Sequence, residues 1–299
     1  MRGPLVYTRR MDILPQLVLN SIIAGSLYAL IGMSFSLIYS TTRFFNLAHG
    51  VLAAVGGYTV LYLAKTLGLD LLLASAIGIV LAAVVALALE FLIYRPLRTR
   101  KASNLVLLVA SLGAFTAIQA VIAMLFTSQY QTLSNLVPAL KVLHVGGGVI
   151  TPVQVVIAAL SLMTVVGLWI LLSFTRFGRA VRAVADDEEV AKIVGINTNR
   201  IVTVVIIIGS MIAGAAGILI GFDTGLEPTM GLFILLKGVI GAIVGGMGNV
   251  YGAFLGGYLL GFVENFGIWH ISGQWKDAIA FFVLIVFLIL RPQGILGRK

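Results

Sequence analysis

The side chains that could carry out chemistry are few in this chain of 299 residues, and they form no catalytic set. The three histidines, His49, His144 and His270, lie in separate segments, and no cysteine is present. Neither an HExxH pair nor a G-x-S-x-G elbow occurs, so no hydrolase is indicated. A G-x-x-x-x-G-K-[ST] loop is also missing, so the chain cannot cradle nucleotide phosphates in the P-loop manner. We therefore predict no catalytic residue and no metal site.

The densest group of charges is the stretch 175–200, which carries five basic and four acidic side chains between two long apolar segments. Asp186 followed by Glu189 has the D-x-x-E spacing of a capping box at a helix start. Acidic residues here also favour the positive end of a helix dipole. The stretch therefore predicts a short helix that begins near Asp186.

The helix that follows this start should be amphipathic. Val190, Ile193 and Val194 lie at i, i+3 and i+4, which places them on one face. Gly195 favours a left-handed end to the helix. A helix of about two turns, roughly 12 Å long, is marginally stable alone. It either docks into the groove of a partner or rests on lipid headgroups, and the residues leave both open.

The composition indicates that the segments on either side of this stretch lie in a membrane. The chain is 60% hydrophobic and 10% charged, whereas a soluble domain carries about 25% charged residues. Repeated apolar runs of about 20 residues predict an all-α polytopic membrane protein. We expect a single domain, 1–299, with eight or nine transmembrane segments, some of them broken or re-entrant. The nine candidates are 14–40, 46–64, 71–94, 105–126, 152–174, 201–222, 230–244, 251–266 and 275–290.

The distribution of basic residues predicts an orientation. Clusters at 95–101, 175–200 and 291–299 should all lie in the cytoplasm, and the parity of the intervening segments agrees. The loop 127–150 then lies outside. At the N-terminus the indications conflict: three full spans before residue 95 place it outside, whereas Arg2, Arg9 and Arg10 favour inside. The second segment is our candidate for an irregular or re-entrant one, and segments seven and eight are candidates for half-helices.

Glycines in the last third recur at intervals of four, as at Gly248, Gly252 and Gly256. Residues four apart share one face of a helix, so glycines there permit close approach of two backbones. We expect these three residues to lie in helix contacts. A sliding or hinging role during transport is the alternative.

A transport pathway needs polar groups inside the apolar segments, and ion-coupled carriers usually bury acids there. Glu90 and Glu264 fall near predicted segment ends, and Lys237 is the only strong charge in the middle of one. The chain therefore shows no obvious ion relay. The predicted lining residues of a substrate path are Asn46, His49 and Gln119, with helix capping or interhelical hydrogen bonding as the alternative role for each.

Four stretches of the sequence resemble one transporter family. The run EVAKIVG at 189–195 is similar to the E-A-A-x-x-x-G loop of ABC importer permeases, with Val190 in place of the first alanine and without the later I-x-L-P part. This run is part of the first of the four stretches, GRAVRAVADDEEVAKIVGINTNRI. The other three are NLAHG at 46–50, IYRPLR at 93–98 and RPQGILG at 291–297. Over about residues 13–297 the chain resembles the LivH-type permeases of branched-chain amino acid ABC importers.

The resemblance implies a set of partners and a role for the charged stretch. A second permease subunit, LivM-like or a copy of this chain, would complete the membrane unit, with two cytosolic ATPase subunits and an extracytoplasmic substrate-binding protein. ATP and Mg²⁺ would bind to the ATPases, and no cofactor to this chain. Glu189, Val190, Ala191 and Gly195 would belong to the coupling helix that contacts an ATPase.

The implied function is import of branched-chain, hydrophobic amino acids across a bacterial or archaeal plasma (inner) membrane, without nucleic acid as a partner. A permease for amides or urea in the same family is an alternative. A carrier that acts alone and is driven by an ion gradient is a second alternative, from another class.

Overall fold

The structure is a computed structural model, and it describes residues 13–136 and 142–297. The chain is an all-α polytopic membrane protein. Its helices are α1 (Leu14–Thr42), α2 (Ala48–Val60), α3 (Leu71–Thr99), α4 (Asn104–Phe126), α5 (Pro152–Phe174), α6 (Arg176–Asp186), α7 (Glu188–Ile193), α8 (Thr198–Asp223), α9 (Met230–Gly245), α10 (Val250–His270) and α11 (Lys276–Leu290). A small antiparallel hairpin, β1 (Leu143–Val145) and β2 (Gly148–Ile150), precedes α5.

Six of these helices, counting α11 with the 3₁₀ turn Gly273–Trp275 before it, are long and apolar enough to cross a membrane: α1, α3, α4, α5, α8 and α11. Helices α9 and α10 are long and apolar enough to cross a membrane only when they are taken together, and they are bent by 114° at their junction. The described residues therefore contain six such helices, or seven if the bent pair is one span. The expected number of eight or nine spans is not confirmed.

Helix α1 runs the length of the bundle and defines its two ends. Near its start, Gln16 exchanges two hydrogen bonds with the backbone of Val149, at 2.8 and 3.1 Å. Just past its other end, the Arg43 guanidinium donates to the carbonyl of Ala185 in α6. We call these the hairpin end and the short-helix end. Residue 13 thus lies at the hairpin end. Three full spans before residue 95 place it there, opposite the basic cluster at 95–101. Arg2, Arg9 and Arg10 lie outside the described residues.

The second segment also passes from one end to the other. At its start the Tyr94 hydroxyl donates to Asn46 Oδ1 at 3.0 Å, and at its end Lys65 Nζ donates to Gln131 Oε1 at 3.3 Å. Gln131 belongs to the hairpin end, because its neighbour Tyr130 donates to the carbonyl of Thr224, just after α8. The segment is irregular in that α2 continues as a π-helical turn over Leu61–Thr66, but it is not re-entrant.

The bundle is centred on α1. In the most apolar 18 residues of α1, 89% are buried, whereas the corresponding shares in α4 and α5 are 28% and 22%. The outer helices therefore present apolar side chains around the circumference, as lipid contact requires.

Glycine contacts bring two of the inner helices close together. A Cβ at Gly252 would overlap the carbonyl of Gly245, and one at Gly256 would overlap that of Gly241, so α9 and α10 touch backbone to backbone.

The expectation for Gly248 needs correction. It lies in the turn between α9 and α10, with φ of +81°, and a Cβ there would be 3.7 Å from its nearest neighbour. Its spacing of four from Gly252 is therefore not the spacing of two residues on one helix face. Gly248 is a turn glycine, required by a left-handed backbone that other residues rarely adopt.

Candidate functional sites

The charged stretch folds as two helices rather than the single short one that the sequence predicts. Thr175 caps α6 by accepting a hydrogen bond from the Gly178 amide at 3.0 Å. Val181 and Val184 face inward from α6, Arg176 and Arg179 are exposed, and the Arg182 guanidinium donates to the Leu172 carbonyl. This helix is amphipathic because its apolar residues recur at helical spacing. It lies against the end of α5, since a Cβ at Gly178 would overlap the carbonyls of Leu171 and Leu172.

Helix α7 begins one residue later than predicted. Asp187, not Asp186, is its cap: one carboxylate oxygen accepts from the amides of Glu189 and Val190 at 2.8 and 3.0 Å. Asp186 is the last residue of α6. The local reason is that the backbone of Asp187 is extended, with φ of −152°, which breaks the helix between the two and frees the amides that the cap satisfies.

Helix α7 is terminated by Gly195, just beyond its last residue, where the backbone turns left-handed at φ of +86°. The Ile196 amide donates to the Ala191 carbonyl at 3.0 Å, and the Gly195 amide to the Lys192 carbonyl at 3.1 Å. These two bonds are the Schellman pattern. The residue that follows them, Asn197, caps α8 through the Arg200 amide at 3.1 Å.

The outward face of α7 is apolar. Val190, Ile193 and Val194 are all exposed, and Ile193 exposes 83% of its surface. Ala191 points the other way and is buried. Glu188, which pairs with Lys192 at 2.7 Å, also accepts from the Thr198 hydroxyl at 3.3 Å. The helix is thus held to the bundle by one side and offers three large apolar side chains on the other.

The predicted path residues are not brought together around an open space. Asn46 is buried beside Tyr94, and fully buried His49 lies 2.8 Å from the Ser34 hydroxyl through Nε2. Gln119 is half-buried on α4. None of the three lines the cavity around Asp223 and Lys276 or the one around Lys65 and Gln131. The contacts of Asn46 and His49 fit the interhelical role that we gave as the alternative.

The cavity around Asp223 and Lys276 lies at the hairpin end, with a volume of about 480 Å³. Helices α1, α5, α8, α9, α10 and α11 contribute to it, together with the links before α5 and α9. Its walls contain two acids, two lysines, amides and a broad apolar surface. The lining residues are Asn20, Ile23, Ala24, Leu27, Tyr28, Tyr130, Gln154, Ile220, Asp223, Thr224, Gly225, Glu227, Met230, Phe233, Ile234, Lys237, Asn265 and Lys276.

An ion network around the buried Glu264 carboxylate ties together the helices around this cavity. Lys237 of α9 forms ion pairs with Glu264 of α10 and with Asp277 of α11, the latter at 2.8 Å. Glu264 is fully buried and also accepts from the Tyr28 hydroxyl of α1 at 2.7 Å. Lys276 Nζ is 3.8 Å from Glu264. Four helices therefore meet at one carboxylate, which is satisfied by surrounding donors as a buried charge must be.

The prediction that Glu264 lies near a segment end needs correction. Helix α10 continues to His270, so Glu264 lies between one and two turns before its end and is fully buried. The signal available in the sequence was the isolated charge itself: Lys237 and Glu264 each stand alone in an apolar segment, and such residues are costly unless paired. Among the described residues, no group of three His, Cys, Asp or Glu side chains could hold a metal ion.

The helical bundle, its exposed amphipathic helix and its polar cavity define a membrane transport subunit of the permease class. The chain belongs to the family described as "Branched-chain amino acid transport system / permease component", whose model matches residues 17–288.

Individual relatives agree over nearly the whole chain. It is 34% identical to the high-affinity branched-chain amino acid transport system permease protein BraD of Pseudomonas aeruginosa, over 95% of each chain. It is 32% identical to the corresponding LivH protein of Escherichia coli K12, also over 95% of each. A probable LivH permease of Methanocaldococcus jannaschii is 28% identical, over 93% of this chain and 91% of the relative.

Proposed function

We propose that this chain is the permease subunit of an ATP-driven importer that carries branched-chain amino acids delivered by a binding protein. The substrate is inferred from the names of the relatives, which favour it over amides or urea. The ATPases are separate subunits that bind ATP and Mg²⁺, and the chain itself takes no cofactor. A second permease, LivM-like or a copy of this chain, completes the membrane unit.

The observation that supports an ATP-driven importer is the outward face of α7. A six-residue helix is too short to be stable alone, and this one leaves Val190, Ile193 and Val194 uncovered. A soluble partner with an apolar groove would bury them. Their neighbours Glu188 and Lys192 would stay at the polar rim. We propose that an ATPase covers this face.

The orientation that we propose follows the basic residues. The short-helix end carries Arg43, the arginines of α6, and the basic link of residues 95–101, which continues α3 after Tyr94. By the positive-inside rule this end is cytoplasmic. The ATPases then lie beneath α7, and the hairpin end with its cavity faces the binding protein. We assign the C-terminal residues to the cytoplasm by the same reasoning, because Asn249 donates to the carbonyl of Leu296 at 2.9 Å beside the Gly248 turn, which approaches Ser40.

The test of this function is reconstitution. The chain, its partner permease, the ATPases and the binding protein are assembled in liposomes, and uptake of radioactive leucine is measured. We expect uptake only with ATP, Mg²⁺ and the full set of subunits. Leucine uptake by this chain alone, driven by a proton or sodium gradient, would show instead a secondary carrier.

A substitution in α7 tests the contact with the ATPase. Ile193→Asp places a charge in the proposed interface, so we expect the ATPase to be lost when the complex is purified, with membrane insertion unchanged. Leu143→Asp is the matched control, because Leu143 is also an exposed aliphatic residue but lies at the hairpin end. Retention of the ATPase by Ile193→Asp would refute the assignment. Ala191 is a poor choice for this test, because it is buried and a large side chain there would disturb the fold.

A further inference from the structure

The cavity at the hairpin end combines groups that a branched-chain amino acid would need. We propose, on the basis of the function above, that this cavity binds the amino acid during transport. Asp223 and the side-chain amide oxygen of Asn265 bind the ammonium group, and Lys276 binds the carboxylate. The apolar wall receives the side chain of the amino acid. All of these groups line the same cavity.

The charges around the cavity divide into a structural set and an available set. Lys237 is held between Glu264 and Asp277, and its side chain is only 12% exposed. Tyr28 donates its hydroxyl to Glu264 as well. These groups satisfy one another, so they stabilise the packing of α1, α9, α10 and α11. Among the other lining charges, Asp223 and Glu227 lie outside this cluster, and Lys276 is joined to it only by its 3.8 Å approach to Glu264.

Asp223 and Glu227 are the acidic lining residues that could attract an ammonium group. Asp223 Oδ1 accepts from the Gln154 amide at 3.0 Å, which fixes the carboxylate and leaves Oδ2 for another donor. Asn265 is only 6% exposed, and its amide nitrogen donates to the Gly261 carbonyl at 2.8 Å. Its carbonyl oxygen is therefore the amide atom available to the cavity. An ammonium group has three donors, which suits a carboxylate and a carbonyl together.

Lys276 is the lining group that is suited to an anion. Lys276 Nζ lies 3.8 Å from Glu264 Oε2, beyond hydrogen-bond length, and the side chain is 36% exposed. It is therefore attracted to the network without using its donors there. A carboxylate that enters the cavity would meet these donors, and the charge-assisted hydrogen bonds would be strong.

The remaining wall is apolar and the volume is adequate. Ile23 and Leu27 of α1 face the same space as Phe233 and Ile234 of α9. A volume of about 480 Å³ falls in the range of small-molecule sites, about 300–1,000 Å³. A branched aliphatic side chain would bury its surface there, while its polar end would meet the charged groups. The location is where a substrate that comes from a binding protein at the hairpin end would first enter.

Photolabelling tests the location. A leucine analogue with a diazirine in its side chain is supplied with the binding protein to the complete transporter during ATP turnover, illuminated, and the adducts are mapped by mass spectrometry. We expect adducts on the peptides that contain Phe233 and Ile234 or Ile23 and Leu27, and competition by leucine. Competed labelling confined to other peptides, such as the one containing His49, would overturn the proposal.

Charge substitutions test the chemistry. Asp223→Asn keeps the acceptor for Gln154, and Lys276→Met keeps an unbranched apolar stem without the charge, so both should fold. We expect each to raise the KM for leucine uptake at least tenfold. The matched controls at the same end of the bundle are Asp70→Asn, where the side chain caps α3, and Lys65→Met. An unchanged KM in both test variants, or an equal rise in the controls, would overturn the proposal.

The two proposals can fail separately. If the wild-type complex takes up no leucine with ATP, the proposed function fails, and the binding proposal fails with it. If uptake is normal but labelling and KM exclude the cavity, only the binding proposal fails. A monovalent cation is the competing occupant of an acidic cavity. Asp223→Asn would then change the dependence of uptake on sodium or potassium while leaving the KM for leucine unchanged, which would also refute amino acid binding.

Discussion

Lys237 and Glu264 lie 27 positions apart in two apolar helices and form an ion pair in which the carboxylate is completely buried. The pair holds α9 against α10, and Asp277 extends it to α11. Because the two charges lie on different helices, the contact depends on the tertiary packing. The stability of the bundle should therefore respond to the loss of either partner.

Removal of one charge from this pair should cost more than removal of both. We expect Lys237→Met to lower the free energy of unfolding by about 3–5 kcal/mol, because it leaves a buried carboxylate without its cation. The double variant Lys237→Met/Glu264→Gln should recover part of this loss. Thermal denaturation of the purified chain in detergent measures both.

The exposed pair of Lys192 and Glu188 provides the control for this experiment. Both side chains are about half exposed, so Lys192→Met should change the stability by less than about 1 kcal/mol. A loss in Lys237→Met no larger than that in Lys192→Met would mean that the buried pair adds little to the fold.

A methyl group at Gly256 should weaken the contact of α9 with α10. The Cβ would overlap the Gly241 carbonyl and lie 2.8 Å from the Gly245 amide nitrogen, and neither backbone atom can move without shifting a helix. We expect Gly256→Ala to destabilise the chain by about 1–3 kcal/mol, the usual cost of overpacking.

Gly113→Ala and Gly167→Ala are matched controls for the glycine contact. Each is a helix glycine at which an added methyl group would have no neighbouring atom within 4 Å. Thermal denaturation should separate Gly256→Ala from both. If all three variants melted together, the close approach of the backbones would not be a source of stability.

The end of α7 should be sensitive to the residue at position 195. Gly195 has a φ of +86°, so Gly195→Val should destabilise α7 by about 1–2 kcal/mol, because a β-branched residue is strained in the left-handed region. Gly195→Asn should be milder, since Asn tolerates this region. Hydrogen exchange of the amides at positions 195 and 196, which close the helix, reports the effect directly. Equal exchange in the Val and Asn variants would contradict this explanation.

The link between α1 and α6 should matter for coupling if α7 contacts the ATPase. Arg43 donates to the Ala185 carbonyl, two residues before the cap of α7. We expect Arg43→Met to reduce the leucine taken up per ATP hydrolysed by about twofold or more, because motion of α6 and α7 would be transmitted less faithfully to α1. The measurement is uptake and hydrolysis in the same liposomes.

Arg100→Met serves as the control for Arg43→Met. Arg100 is an exposed arginine just past the end of α3, on the same end of the bundle. An equal loss of coupling in this variant would attribute the effect to surface charge rather than to the Arg43 contact.

Local pattern in the sequence was enough to predict several features. The apolar content and the length of the runs predicted a helical membrane protein, because backbone polar groups must be satisfied internally in lipid. The glycine at 195 and the aspartates before it predicted the limits of α7 to within one residue, since caps act through neighbouring amides. The stripe of Val190, Ile193 and Val194 predicted one apolar face, and that face is exposed.

Only the tertiary structure decided which polar groups meet. Asp223, Asn265 and Lys276 lie on α8, α10 and α11, and they line one cavity because of how these helices are rotated and packed. The same packing buries His49 beside Ser34 and Asn46 beside Tyr94, so polar residues chosen for their position within apolar segments did not find the cavity. Sequence periodicity reports which face of a helix is apolar, but in a bundle surrounded by lipid both faces are apolar. The partner of each isolated charge is therefore fixed by contacts between helices that no local pattern records.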